Sequence, residues 1–133
     1  MKRKSRKRGR VLLIEDDDLN MELVQIVLEG AGYEVLCAST AATGIDIARR
    51  ERPDAILMDV QMAEMDGLEA AQCLRADPAT ATIPIVAVTA HVKKEDQRRC
   101  LEAGCALHLS KPVDTRALPE IVERIIHAAE HVA

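Results

Sequence analysis

Five short apolar runs separated by longer amphipathic stretches constrain this chain more than any other feature: residues 11–14, 35–38, 55–58, 83–88 and 106–109. Each is almost continuously apolar rather than alternating, the pattern of a strand buried on both faces of a parallel sheet. The stretches between them supply helices. Residues 18–29 place Leu19, Leu23, Ile26 and Val27 on one face, with Asp17 or Asp18 as the cap and Gly30 as the stop. Residues 41–50 repeat the pattern with Ile45 and Ala48 and end before Pro53. Residues 67–76 offer Leu68, Ala71 and Leu74 ahead of Asp77 and Pro78. The helix at 93–103 is the most polar and stops at Gly104. The last, about 114–128, carries Leu118, Ile121, Val122, Ile125 and Ile126 at helical spacing.

Alternation of five strands with five helices predicts right-handed βαβ units and an α/β fold, a doubly wound (βα)5 parallel sheet. At 133 residues one domain is expected, and the flavodoxin-like strand order 2-1-3-4-5 suits that size. Residues 10–128 form the domain, 1–9 a basic arm expected to be disordered, and 129–133 a C-terminal end.

Charge is unevenly spread. The first ten residues hold seven of the 18 Lys and Arg and no acid, which leaves 11 bases against 22 acids in the rest. Such an arm can contact nucleic acid or an anionic surface, but the acidic body opposes extended polyanion binding, so a solubilising leader is favoured. Tyr33 is the sole aromatic residue, leaving no stacking platform for single-stranded nucleic acid. No apolar run approaches a membrane span and no signal core follows the basic start, so a cytoplasmic location is expected. Cys37, Cys73, Cys100 and Cys105 form no paired motif and read as reduced, mostly buried thiols; the proximity of Cys100 and Cys105 keeps a redox role as a lesser alternative.

In doubly wound sheets the site lies beyond the carboxyl ends of the strands, where the first and third strands diverge. Strand one runs into Glu15, Asp16, Asp17 and Asp18, strand three into Asp59, strand four into Thr89, and strand five into Ser110, Lys111 and Pro112. The topology therefore gathers carboxylates, a hydroxyl and an ammonium at one edge, although they span nearly the whole chain. Packed carboxylates repel unless a cation compensates them. A hard divalent ion, Mg²⁺, suits an oxygen-only donor set, and no His or Cys among these positions favours zinc. Lys111 adds a mobile charge that can hold a phosphoryl oxygen, and Thr89 a hydrogen-bond donor. The ensemble reads as phosphoryl transfer to a carboxylate.

Taken in order, IEDD at 14–17, LMDVQMAEMDG at 57–67, AVTA at 87–90 and SKP at 110–112 resemble the receiver domains of two-component response regulators. The resemblance covers residues 10–128 and is closest in type to single-domain DivK-like regulators and to receivers fused to hybrid histidine kinases. It implies that Asp59 accepts a phosphoryl group from a phosphohistidine. It also implies that Glu15, Asp16, Asp59 and the backbone carbonyl of Gln61 hold Mg²⁺, with Mn²⁺ able to substitute. Lys111 would pair with the phosphoryl group, and Thr89 would swing toward it and pass the event to the face formed by the fourth helix, fifth strand and fifth helix. Implied partners are a histidine kinase or histidine phosphotransfer protein and a protein effector. Such a protein promotes its own phosphorylation and slow dephosphorylation but is not an enzyme on outside substrates.

Each residue also has a plainer reading. An Asp after a strand is ordinarily a cap or turn residue, and a lysine ordinarily solvated; their ordered combination is what changes the reading of Asp59 and Lys111. Asp17, Asp18 and Asp66 are read as caps and helix-start charges. Two positions depart from the family pattern. Ala63 stands where the acceptor loop usually has proline, which predicts a looser loop. His108, three before the lysine, occupies a position often held by an inward-turning aromatic; it reads equally as a half-exposed strand histidine or as a switch whose titration would couple output to acidity. With no DNA-binding module after the last helix, output is expected by docking on proteins. The alternatives are a receiver belonging to a hybrid kinase and a phosphorylation-independent docking module; the complete set of acids, acceptor and lysine disfavours the second. An aspartyl phosphatase would need an acid where Gln61 stands.

Overall fold

In a computed structural model that describes residues 8–62, 66–90 and 93–130, the apolar runs form one five-stranded parallel sheet of order β2-β1-β3-β4-β5. The strands are β1 (Gly9–Ile14), β2 (Tyr33–Ala38), β3 (Ala55–Asp59), β4 (Ile85–Thr89) and β5 (Leu107–Ser110). The helices are α1 (Asp18–Gly30), α2 (Ala41–Glu51), α3 (Gly67–Ala76), α4 (Lys94–Glu102) and α5 (Leu118–Glu130). The expected doubly wound order is therefore found. Every residue of β3 and β4 is buried, as continuous apolar runs require, whereas the edge strands β2 and β5 are largely half-buried.

Alternate residues of each strand feed two cores. Leu12, Ile14, Ile56, Met58, Ile85 and Ala87 face α2, α3 and α4, and Val11, Leu13, Leu57 and Val86 face α1 and α5. Gly44 allows α2 to lie close on β1, because a Cβ there would sit 2.4 Å from the Ile14 side chain. On α5, Leu118, Val122 and Ile126 are buried, as their spacing predicts.

Four readings are corrected. The apolar face assigned to α1 is not the packed one: Leu19, Leu23 and Ile26 are exposed by 77%, 51% and 61%, while Leu28 is fully buried and Met21 and Val24 pack partly beneath. α5 starts at Leu118 rather than 114, because Asp114 folds back to accept the Arg116 N–H at 3.0 Å and so closes a turn ahead of the helix. β4 begins at Ile85; Ile83 is buried in the connection before it, and Pro84 supplies a carbonyl to the Ile56 N–H. β1 begins at Gly9, inside the segment read as the arm. Arg8 is tied down as well, bonding the Ala31 carbonyl, pairing with Glu123 and lying 5.0 Å above the Tyr33 ring. Residues 1–7, 131–133 and the loop position Ala63 lie outside the described residues.

The cysteines divide. All four are free; Cys100 and Cys105 are buried, Cys37 is half-buried and Cys73 is exposed. Burial pushes the thiol of Cys105 up to about 12, where almost no thiolate exists at neutral pH, so the pair lacks the activated sulfur that redox chemistry needs.

Candidate functional site

The carboxyl ends of β1 and β3 lie side by side, with Ile14 in register with Met58, and this brings the acids that follow each strand together. One carboxylate oxygen each from Glu15, Asp16 and Asp59 lies within 4.8 Å of the other two. Glu15 and Asp59 are buried, at 6% and 3% exposure, whereas Asp16 is exposed. The cluster is thus anchored in the sheet and open on one side.

Local hydrogen bonds fix the geometry. The Asp17 N–H donates to Glu15 Oε2 at 3.1 Å, and the Gln61 N–H donates to Asp59 Oδ1 at 3.0 Å. Asp17 caps α1 by accepting from the Leu19 and Asn20 N–H groups, and Asp66 caps α3 by accepting from Leu68 at 2.9 Å. Those two acids are therefore structural, as their positions suggested. The cap at Asp66 also leads into Gly67, whose N–H donates to the Val60 carbonyl at 2.9 Å. A Cβ on Gly67 would lie 2.7 Å from Val60 Cα and 2.9 Å from the Asp59 carbonyl oxygen, both backbone atoms that cannot rotate away. Gly67→Ala is expected to destabilise the fold by roughly 1–3 kcal/mol, measurable by urea unfolding. It should also weaken divalent-ion binding, since relief of the clash moves the backbone that carries Asp59.

Lys111 reaches in from the end of β5, its Nζ 3.0 Å from Asp59 Oδ2. The Lys111–Pro112 bond is cis, and the Lys111 N–H donates to the Thr89 carbonyl at 2.9 Å. Thr89 is buried at the end of β4, beside Ser110 in the sheet register. Gln61 also accepts from the Ala90 N–H through its side chain at 3.4 Å, which ties the loop after β3 to the end of β4. His108 lies on β5 in register with Ala87; its side chain is half-buried and its buried Nε2 has no hydrogen-bond partner among the described residues.

Burial raises the Glu15 carboxyl to about 7, with the nearby Asp59 charge adding to the effect; the Asp17 N–H and Lys111 oppose it. A carboxyl held this far above the usual range either keeps its proton or ionises against a compensating cation. The donor set bears on which one: three carboxylates, with no His or Cys joining them among the described residues, and an open side for water and phosphate oxygens suit Mg²⁺.

The matched family model is that of the response regulator receiver domain, over residues 11–123. The polar-differentiation response regulator DivK of Brucella anthropi is 39% identical over 115 residues, which span 86% of this chain and 91% of that protein. DivK of Brucella ovis is 38% identical over the same length. Among solved structures, the receiver domain of a sensor histidine kinase from Pseudomonas aeruginosa PAO1, with a magnesium ion coordinated in its active-site cleft, superposes with a TM-score of 0.83 at 34% identity. That match covers 90% of this chain and 98% of the other. A CheY-like receiver domain protein from Methanospirillum hungatei gives a TM-score of 0.86 at 27% identity, covering 93% and 98%.

Proposed function

This chain belongs to the response regulator receiver domain family of two-component signalling, and from that premise we propose that Asp59 is its phosphoacceptor. The observation that carries the reading is the buried Asp59 carboxylate, held by the Gln61 N–H, 3.0 Å from Lys111 and within the acid cluster. One Asp59 oxygen attacks the phosphorus of a phosphohistidine in line; the bond to the donor nitrogen breaks as the acyl phosphate forms. Glu15, Asp16, Asp59 and the Gln61 carbonyl would hold Mg²⁺, which when bound neutralises the equatorial oxygens in transfer. Mn²⁺ has the same preference for oxygen donors and would serve in its place. Lys111 releases Asp59 and pairs with the incoming phosphoryl oxygen, and the Thr89 hydroxyl donates to another. The protein thus serves its own phosphorylation and slow hydrolysis and is no enzyme on outside substrates.

Output is proposed through the α4-β5-α5 face, for which the backbone link between Thr89 and Lys111 is the support. A shift at Thr89 reaches the end of β5 through that bond, and on β5 the His108 Nε2 has no partner among the described residues to hold it. No helix of the described residues is long and apolar enough to cross a membrane. The donor is proposed to be a histidine kinase or phosphotransfer protein, and the effector a protein that reads the same domain. We read residues 10–128, extended to Gly9 at the start of β1 and Glu130 at the end of α5, as the domain, acting as a single-domain regulator in the cytoplasm.

The test is intact-protein mass spectrometry after incubation with a small phosphodonor, with and without Mg²⁺. Gain of one phosphoryl group only with Mg²⁺ is expected; no gain in folded, Mg²⁺-binding protein would favour the phosphorylation-independent docking module. The exposed Leu19 and Ile26 on α1, which starts beside the acid cluster, give a protein donor an apolar surface that a small donor does not need. Leu19→Glu with Ile26→Glu is therefore expected to slow transfer from a phosphotransfer protein by about tenfold or more, one charged group per lost apolar contact being worth over a kcal/mol. Acetyl phosphate labelling should be unchanged. Equal slowing of both would place the defect in the site rather than in docking.

A further inference from the structure

Beside the acid cluster, between α1 and the segment leading into α5, lies a cavity of about 320 Å³. Its walls are mainly aliphatic, with Leu13, Val24, Leu57 and Leu118 among them and the half-exposed Leu23 at the rim; Asn20 and Thr115 add polar groups. The chain has no Phe or Trp, and apart from Tyr33 and Ala55 the buried residues of the second core are branched aliphatics; beside them this gap between α1 and the sheet stays unfilled. One end of the cavity is polar and negative. Glu15, Asp59 and Lys111 line it, Asp16 lies within 4.8 Å of both acids, and the single ammonium of Lys111, 3.0 Å from Asp59, leaves carboxylate in excess even while Glu15 holds a proton.

Aliphatic walls of this extent gain from an apolar occupant that displaces water from them. At about 30 Å³ per non-hydrogen atom, the share of a water in its liquid, the cavity holds roughly ten such atoms, far fewer than a helix presents. The uncompensated carboxylates at its end select the charge of the polar group. We propose that this cavity is a binding site for small amphipathic cations, a lipophilic primary amine in chemical class. The alkyl body lies between α1 and α5, and the ammonium donates to the Glu15 and Asp59 carboxylates. Such a ligand and a divalent cation would exclude each other. Binding rests on the cavity and its charge alone; only the consequence, a block of phosphorylation, rests on the function proposed above.

The experiment uses the whole chain without any phosphodonor. Octylamine, 1-octanol, octanoate and methylamine are titrated separately into metal-free protein, followed by amide chemical shifts and calorimetry, and the octylamine titration is repeated with Mg²⁺. Saturable one-to-one binding of octylamine is expected, at least about tenfold tighter than the alcohol, the carboxylate or methylamine and weakened about tenfold or more by Mg²⁺. Val24→Phe and Val113→Phe, which fill the cavity from opposite walls, should each abolish it; two variants are used so that one that fails to fold leaves the other. Equal binding of octanol and octylamine would overturn the proposal in favour of an uncharged cleft open to a partner's apolar side chain. Equal binding of methylamine and octylamine would overturn it in favour of the acid cluster alone. Retention of octylamine binding in a folded filling variant would do the same.

Discussion

Asp59→Asn is expected to take up no phosphoryl group from any donor while keeping its fold. The amide is nearly isosteric, and its carbonyl oxygen can go on accepting the Gln61 N–H that now donates to Asp59 Oδ1 at 3.0 Å. What it lacks is the anionic oxygen that attacks phosphorus. A neutral amide is a far weaker nucleophile, and no neighbouring base can restore it, because Glu15 and Asp16 are the groups proposed to hold the metal. Loss of labelling should therefore be complete rather than partial, in contrast to Lys111→Ala or Thr89→Ala, which remove stabilisation of the transferring group but leave the acceptor in place. Mg²⁺ affinity should fall as well, by on the order of tenfold, the loss that removing even an indirect partner of a metal commonly costs. The measurement is a mass shift, with circular dichroism as the control for folding. Persistent labelling of folded Asp59→Asn would move the acceptor to another residue, with Asp16, exposed and in the same cluster, the first to replace.

The site was more legible in the sequence than the packing around it, and the reason is topological. Glu15, Asp59, Thr89 and Lys111 are far apart in the chain, yet each follows an apolar run, and a parallel sheet sends all such positions to one edge. No side-chain geometry was needed for that step. The face of α1 was a different problem. Leu19, Leu23 and Ile26 recur at helical spacing, but so do Met21, Val24 and Leu28, and periodicity alone cannot tell which of two apolar stripes turns inward. The choice is made by the sheet: Leu28 packs in the second core with Leu13 and Val86 and carries the stripe of Met21 and Val24 with it. The start of α5 was misplaced because Asp114 is a good capping residue that here serves the preceding turn. The cavity beside the acids could not be read at all, since a void depends on how neighbouring volumes fail to fill space, and the absence of Phe and Trp only hinted at it.

Stability without metal should fall as pH rises, and Mg²⁺ should restore it. The Glu15 carboxyl is raised from 4.5 to about 7, chiefly by burial and further by Asp59. Between those two values the folded chain holds a proton that the unfolded chain has already released. Stability falls wherever the native state binds more protons, so this group's contribution is complete below about 4.5 and is lost as pH climbs through about 7. At 1.36 kcal/mol per pH unit, the difference is at most roughly 3 kcal/mol, a large part of a small domain's total. Burial at 6% exposure limits how much solvent can screen it. Mg²⁺ acts in the opposite sense, because it needs the ionised carboxylate; its affinity should rise through the same window, and with it the stabilisation that mass action confers. Thermal melts at pH 5.5 and 8 (about one unit or more to either side of 7), with and without saturating Mg²⁺, separate these effects. The increment from Mg²⁺ should be clearly larger at the higher pH. Glu15→Gln provides the control, since it removes the titrating group and leaves the four histidines and other acids untouched. It should flatten the metal-free profile and bind Mg²⁺ poorly at both values. A wild-type profile already flat across this range would mean that Glu15 ionises like an ordinary carboxylate despite its burial, and that water reaching the open side of the cluster compensates it without a metal.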